Sequence, residues 1–370
     1  MITISENPNL RPRPMMTWIA GLILNPILKL FLRQSRPDFD RVTVFQSYFV
    51  GDLYMALPAI KLLASRTPTR ILCRPDCVKI LENEGLEAIP FKNDFCIKPG
   101  VKSFFKTARV AWNLRGQLGG IALDPDADSR SALWLRIAGA NRIISYHRPH
   151  AALFDVLLPL PVKVLHQAEK NLFVIRAFLE RYSTKTDPFS TQVKTDLSST
   201  LDAAWIVSCW TRLDTKNWPL DQWNGFLERM LQAGIRFRIL EAPDGDEKFL
   251  DFKSQWSNRV EFLSGSLTEV SEAIKNSAGV LATDNFVGHM GGYYGKPVLW
   301  INGSSDPRHV VPKGPLTRIV QHDPMPCRPC THHCVNPEYK SCLKKLALDD
   351  VWNAFEMLRA GVASTQPNLN

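Results

Sequence analysis

The stretch from Val280 to Ile301 commits this chain to a parallel sheet. Apolar Val280-Leu281-Ala282 gives way to a polar turn, Thr283-Asp284-Asn285, and then to a short helix beginning near Val287. Gly295-Lys296-Pro297 breaks that helix before a second apolar run, Val298-Leu299-Trp300-Ile301. Runs this short and this apolar read as buried strands, and two of them joined through a helix make a β-α-β crossover. In such a unit the turn after the first strand lies at the carboxyl edge of the sheet, where a helix N-terminus offers N-H groups and a positive dipole to an anion. Asp284 there could hold hydroxyls of a sugar or ribose, with His289 within a turn of a phosphate. Taken alone, Asp284 reads as a helix cap and His289 as a helix-face residue.

The same alternation fills the rest of the chain. Strands are expected at Arg41 to Gln46, Arg70 to Cys73, Glu87 to Phe91, Gly120 to Leu123 and Arg142 to Tyr146. Helices are expected at Leu53 to Ser65, Pro75 to Glu84, Ser103 to Leu118 and Ala132 to Ala138, with Pro58 kinking or restarting the first. Residues 184 to 200 are polar without an apolar period, which marks a linker. The pattern then restarts with strands at Ala203 to Cys209, Arg236 to Leu240 and Val260 to Leu263, and helices at Asp221 to Ala233, Glu247 to Trp256 and Leu267 to Ser277. Two successive β-α domains imply an α/β protein with two Rossmann-like halves facing across a cleft. The expected limits are an extension at 1–40, a first domain at 41–183, a linker at 184–202, a second domain at 203–325 and a cysteine-containing segment with a closing helix at 326–370.

Composition narrows the partners. With 370 residues the chain is too long for one ordinary core. A formal charge of +9 favours anionic partners such as nucleotides, phosphorylated lipids or an anionic bilayer, and no nucleic-acid-reading motif is present. Residues 1–14 should be disordered. Met15 to Leu32 is the most apolar segment, interrupted by Asn25, Pro26 and Lys29, with Arg11 and Arg13 before it and Arg33 and Arg36 after it. It reads either as an interfacial helix on an anionic membrane or as a helix packed on the protein's own surface, and not as a secretory signal.

Three further loops carry candidate chemistry. Gly51-Asp52 follows the first strand and opens a helix, so Asp52 is either an N-cap or a general base that takes a proton from an acceptor hydroxyl. Asp124, Asp126 and Asp128 lack the spacing of a calcium loop and read as a turn and cap cluster. Lys216, in the polar turn Trp210 to Pro219, could neutralise a diphosphate as a point charge.

Together these residues resemble glycosyltransferase family 9, the bacterial lipopolysaccharide heptosyltransferases of GT-B fold. Val50-Gly51-Asp52-Leu53 with Ala56-Leu57-Pro58-Ala59-Ile60 is similar to the family's Leu-Gly-Asp-Val and Leu-Pro-Ala signature. Leu123-Asp124 through Arg130-Ser131-Ala132 resembles its acceptor-side loop. Thr211-Arg212-x-Asp214-x-Lys216-x-Trp218-Pro219 is similar to the donor-phosphate loop, and Ala242-Pro243 with Asp246-Glu247 to the next nucleotide-side loop. Thr283-Asp284 with His289, Gly295-Lys296-Pro297 and Gly303-Ser304-Ser305-Asp306-Pro307 resembles the family's remaining second-domain motifs.

The resemblance implies inverting, metal-independent transfer of a sugar, heptose in particular, from a nucleotide diphosphate donor such as ADP-heptose to a lipid-linked anionic saccharide. It needs no cofactor for catalysis and works at the cytoplasmic face of the inner membrane. Asp52 would be the base. Thr211, Lys216, Asp284, His289 and one of Asp246 or Glu247 would bind the donor. Gly51, Arg130 and Ser131 would serve the acceptor. The chain departs from the family pattern at Gln46, at Tyr48-Phe49, at Asp126-Ala127, and at Asn285-Phe286, where a large ring replaces glycine. The last change motivates an alternative, a binding or scaffolding protein of envelope glycan assembly that has lost transfer. Cys327, Cys330, Cys334 and Cys342 could hold a structural zinc, with His332 or His333 as alternates, or form a knuckle without metal.

Overall fold

The computed structural model describes residues 40–126, 128–146, 153–161, 166–182, 203–242, 247–330 and 333–365. The expected N-terminal helix at Met15 to Leu32, the linker at 184–202, Asp246 and His332 lie outside them. Contacts divide the chain into two units, Met1–Phe49 with Ala56–Ser190, and Val50–Met55 with Thr191–Asn370.

The first sheet is built from β1 (Val42–Gln46), β2 (Thr69–Cys73), β3 (Glu87–Pro90), β4 (Ile121–Leu123), β5 (Arg142–Tyr146) and β6 (Val156–Leu158). Between them run α1 (Val50–Ala64), α2 (Val78–Asn83), α3 (Asp94–Ile97), α4 (Val101–Asn113) and α5 (Ser129–Ile137), and α6 (Gln167–Tyr182) follows β6. The strands are parallel in the order β3-β2-β1-β4-β5-β6. β1 is buried throughout, as its unbroken run Val-Thr-Val-Phe-Gln requires of a central strand with both faces covered. Gly119 lies so close to the Arg41 carbonyl that a Cβ would sit 1.9 Å from that oxygen, so only glycine lets the chain enter β4 here.

The second sheet contains β7 (Trp205–Ser208), β8 (Phe237–Leu240), β9 (Phe262–Leu263), β10 (Val280–Thr283), β11 (Val298–Ile301) and β12 (Thr317–Val320). Its helices are α7 (Leu220–Gln232), α8 (Glu247–Trp256), α9 (Leu267–Lys275), α10 (Phe286–Tyr293), α11 (Pro307–Val310), α12 (Ser341–Lys344) and α13 (Leu348–Thr365). The order β12-β11-β10-β7-β8-β9 repeats the doubly wound topology of the first sheet. Trp205, Trp218, Trp223, Phe226 and Phe355 pack edge to face in its core, an arrangement favoured by the ring quadrupoles beyond the area buried.

In each sheet the direction of winding reverses beside the first strand, between β1 and β4 and between β7 and β10. The loops leaving the carboxyl ends of such strand pairs part from one another and leave a place for a ligand. Among the loops expected from sequence to carry chemistry are those that leave β1, β4, β7 and β10.

Four sequence expectations are corrected. Helix α1 starts at Val50 with Phe49 in the N-cap position, so Asp52 is a first-turn acid and not the cap. The same helix runs unbroken through Pro58. Helix α4 begins at Val101 and ends at Asn113, earlier at both ends than expected, and Gly116 turns the chain at positive φ just past its end. Helix α10 begins at Phe286 and is capped by Asn285, not by Asp284.

Candidate active site

In the second unit, the turn after β7 is held by one buried amide. Asn217 Oδ1 accepts from the Thr211 N-H at 2.7 Å, and its Nδ2 donates back to the Thr211 carbonyl at 2.9 Å. Thr211 Oγ1 accepts from the Leu213 N-H at 2.9 Å. Between these clamps a single 3-10 turn, Asp214–Lys216, presents its basic end, and Lys216 Nζ stands 2.9 Å from Asp284 Oδ2. Asp284 is 4% exposed and also accepts from Ser305 Oγ of the loop after β11. Three loops from the carboxyl edge therefore converge on one carboxylate.

Asn285 completes the turn after β10. Its Oδ1 accepts from the Val287 N-H at 3.0 Å while its Nδ2 donates to Ser208 Oγ at 2.8 Å. Asn285 thus ties the N-terminus of α10 to the end of β7, which leaves Asp284 free of capping duty and available to Lys216. Phe286 opens α10 half-buried, and His289 lies one turn on, buried, with its ring 6.4 Å from that of Trp300.

By its contacts Val50–Met55 belongs to the same unit. A Cβ on Gly51 would meet His289 Cδ2 at 3.0 Å, so a side chain at position 51 requires the His289 ring to give way. Asp52, the expected base, occupies the next position, in the first turn of α1, partly buried. Glu247 opens α8 and is exposed.

The C-terminal segment braces these loops. Tyr339 Oη and Lys340 Nζ bind the Asp214 carboxylate at 2.7 and 2.9 Å, beside the turn that carries Lys216. Arg328 Nε donates to the Gly303 carbonyl at 2.9 Å, and the Cys330 N-H to the Ser304 carbonyl at 2.9 Å, beside Ser305. The sulfurs of this segment also accept hydrogen bonds, from Asn336 Nδ2 at 3.6 Å to Cys327 and from the Lys340 N-H at 3.3 Å to Cys334. Burial, with the neighbouring Cys334, Cys327 and Cys342, pushes the Cys330 thiol up to about 11. Among the described residues no three His, Cys, Asp or Glu side chains converge on a metal position.

In the first unit, the loop after β4 is a turn and cap assembly. Asp124 Oδ1 accepts from the Asp126 N-H at 3.1 Å, and Asp128 caps α5 through the Arg130 N-H at 2.8 Å. The Arg130 side chain pairs with Asp128 at 2.7 Å, partly exposed. Ser131, also expected on the acceptor side, is fully buried, and its hydroxyl binds Asp124 and the Asp128 carbonyl. It positions the loop and presents no surface. Tyr48, at the end of the β1 turn, is neutral, because burial and then Asp128, Asp124 and Asp126 raise its phenol well above the usual range.

Sequence reasoning missed Asn217, Asn285, Ser208 and Ser305. The motifs around Asn285 and Ser305 carry some signal, whereas Asn217 acts inside its own turn and Ser208 through a contact with Asn285 that is distant in sequence.

A profile of glycosyltransferase family 9 (heptosyltransferase) matches residues 108–340, more than half of the chain and including every loop of the Lys216 and Asp284 site. The chain belongs to glycosyltransferase family 9. It is a glycosyltransferase with the family's two parallel six-stranded sheets. No curated protein matches its sequence. Among solved structures it is similar to Escherichia coli ADP-heptose LPS heptosyltransferase II, at 14% identity and TM-score 0.64 over 87% of this chain and 99% of that one. It is similar also to E. coli heptosyltransferase WaaC with ADP-2-deoxy-2-fluoro heptose, at 18% identity and TM-score 0.64 over 86% and 99% of the two chains. The iron-containing dodecameric glycosyltransferase TibC from enterotoxigenic E. coli matches at 12% identity and TM-score 0.54, over 89% of this chain and 78% of its own. At these identities the structural likeness speaks for the fold.

Proposed function

We propose that this glycosyltransferase moves heptose, with inversion, from ADP-heptose to a lipid-linked anionic saccharide, without a catalytic metal. The observation that carries this reading is the Lys216 and Asp284 pair, held by Ser305 at the switch point of the second sheet and beside the N-terminus of α10. An ammonium and a helix N-terminus are fixed positive charges suited to a diphosphate leaving group. That the solved heptosyltransferase WaaC binds an ADP-heptose analogue supports ADP-heptose as the donor.

In the proposed reaction the acceptor hydroxyl gives its proton to the Asp52 carboxylate. Its oxygen bonds to the anomeric carbon as the bond from that carbon to the diphosphate oxygen breaks, and the electron pair leaves with ADP. Lys216 meets the charge that develops on the diphosphate. Asp284 holds Lys216 in place and orients the donor sugar, His289 supports the phosphates, and Thr211 shapes their loop. Asp246 or Glu247 serves the ribose. Gly51 and Arg130 are assigned to the acceptor, with Ser131 fixing the loop that carries Arg130.

The cysteine segment takes no part in the chemistry. We assign Cys327, Cys330, Cys334 and Cys342 a structural role, as a knuckle that braces the Asp214 and Ser304 loops with or without a zinc ion. Thermal stabilisation by ADP, UDP, GDP and CMP tests the donor site. A rise with ADP that disappears in Lys216→Ala supports the reading, whereas no shift with any nucleotide favours a binding protein that has lost transfer.

A further inference from the structure

Helix α4 carries an exposed apolar stripe. Val101, Phe105 and Trp112 are 74%, 67% and 56% exposed. Their spacing places them along one side of the helix. Among the described residues no other helix or strand carries more than one exposed large apolar side chain. The opposite side, Thr107 and Ala111, is buried, so α4 is anchored to its unit and presents the stripe outward.

Along the stretch that carries the stripe the charges are of one sign. From Phe95 to Leu123 there is no Asp or Glu, while Lys98, Lys102, Lys106, Arg109 and Arg115 fall within the same stretch. Lys98, Lys102, Lys106 and Arg109 are exposed, and Arg115 lies over the Trp112 ring at 4.8 Å. A face built to attract a second protein by hydrophobic contact alone has no need of such a one-sided flank. A bilayer with anionic headgroups meets both halves of the pattern, because aromatic and aliphatic side chains enter the acyl boundary while cations remain among the phosphates.

We propose that α4 is the membrane-docking element of this protein, with Val101, Phe105 and Trp112 inserted at the interface of an anionic bilayer and Lys98, Lys102, Lys106 and Arg109 on the headgroups. The docking site lies on the described part of the first unit and does not require the apolar segment at Met15 to Leu32. It deepens the proposed use of a lipid-linked acceptor, and its purpose rests on that reading. Its physical basis does not, since vesicles free of nucleotide and saccharide suffice to test it.

The full-length protein is sedimented with vesicles of phosphatidylcholine alone and of phosphatidylcholine with phosphatidylglycerol, at low and high salt. Binding to the anionic vesicles only, weakened by salt, is expected. Lys102→Gln with Lys106→Gln should lower the partition coefficient roughly 25-fold, about fivefold for each charge. Phe105→Ser with Trp112→Ser should lower it more than tenfold, although both changes are at exposed positions and leave the melting temperature unchanged. Undiminished binding by both double variants would overturn the proposal and place docking on another segment. So would failure of the wild type to bind anionic vesicles, or a concentration-dependent dimer abolished by Phe105→Ser with Trp112→Ser in the absence of lipid, which would make the stripe a contact between copies.

Discussion

Replacing Lys216 by Ala tests the donor site through two quantities that the structure lets one separate. Lys216 Nζ is 2.9 Å from Asp284 Oδ2, and Asp284 is 4% exposed while the Lys216 side chain is 22% exposed. Removing one partner of a fully buried pair costs about 3–5 kcal/mol. Here solvent reaches Lys216 and Ser305 still donates to the carboxylate, so a loss of about 1–2 kcal/mol is expected. For a unit of this size that is a fall in Tm of roughly 2–8 °C. The second quantity is ADP affinity, where loss of a charge-assisted contact worth about 1.5–3 kcal/mol weakens binding roughly 10- to 100-fold. Asp284→Asn is the control that distinguishes the two. It also removes the ion pair but frees the ammonium, so ADP affinity should be retained or increased while transfer falls. Calorimetric titration with ADP reads both variants. If Lys216→Ala and Asp284→Asn lose ADP affinity equally, the pair is a structural tie and Lys216 is not the phosphate ligand.

Further outcomes follow from other parts of the structure. Asp52→Asn should lower kcat by about 10²- to 10⁴-fold with ADP affinity unchanged, the signature of a lost general base. A fall in affinity equal to the fall in rate would argue against that role. Gly51→Ala places a Cβ 3.0 Å from His289 Cδ2 and should lower both stability and transfer. Adding His289→Ala should restore stability but not transfer, and differential scanning calorimetry with a transfer assay checks both. Cys327→Ser with Cys330→Ser should lower Tm by several degrees, and metal analysis of the purified protein decides between a zinc site and a metal-free knuckle; undiminished stability would rule out the bracing role. Burial pushes the Cys209 thiol up to about 12, whereas the unfolded thiol ionises near 9. The unfolded chain therefore loses its proton first, and stability falls as pH rises from about 9 to 12. Cys209→Ala should flatten the fall of Tm over that window, and an unchanged slope would place the alkaline sensitivity elsewhere.

Most strands of both sheets were legible in sequence because a parallel strand buried on both faces must be a short unbroken apolar run. Val280–Thr283 and Val298–Ile301 show this without ambiguity. β12 was not legible, since Thr317-Arg318-Ile319-Val320 is an edge strand, partly exposed, and mixes polar with apolar residues. α6 was overlooked although Val174, Ile175, Phe178 and Leu179 form a helical apolar face, a signal that was present in the pattern. In the site, Lys216 and Asp284 could be singled out because they stand in polar turns after apolar strands. The cap was assigned to Asp284 when Asn285 holds it, because both residue types cap equally well and only the bond to Ser208, far away in sequence, decides between them. The bracing of Asp214 by Tyr339 and Lys340 spans more than a hundred residues and has no local signature.

The most direct test of the account is transfer itself. The purified protein, ADP-heptose carrying a labelled sugar, and lipopolysaccharide from a heptose-deficient strain are combined, and label in the lipid fraction is measured against ADP released. Equal amounts of the two are expected, with both abolished in Asp52→Asn. ADP-heptose that binds and yet transfers no sugar to this acceptor or to other lipid-linked saccharides would contradict that expectation.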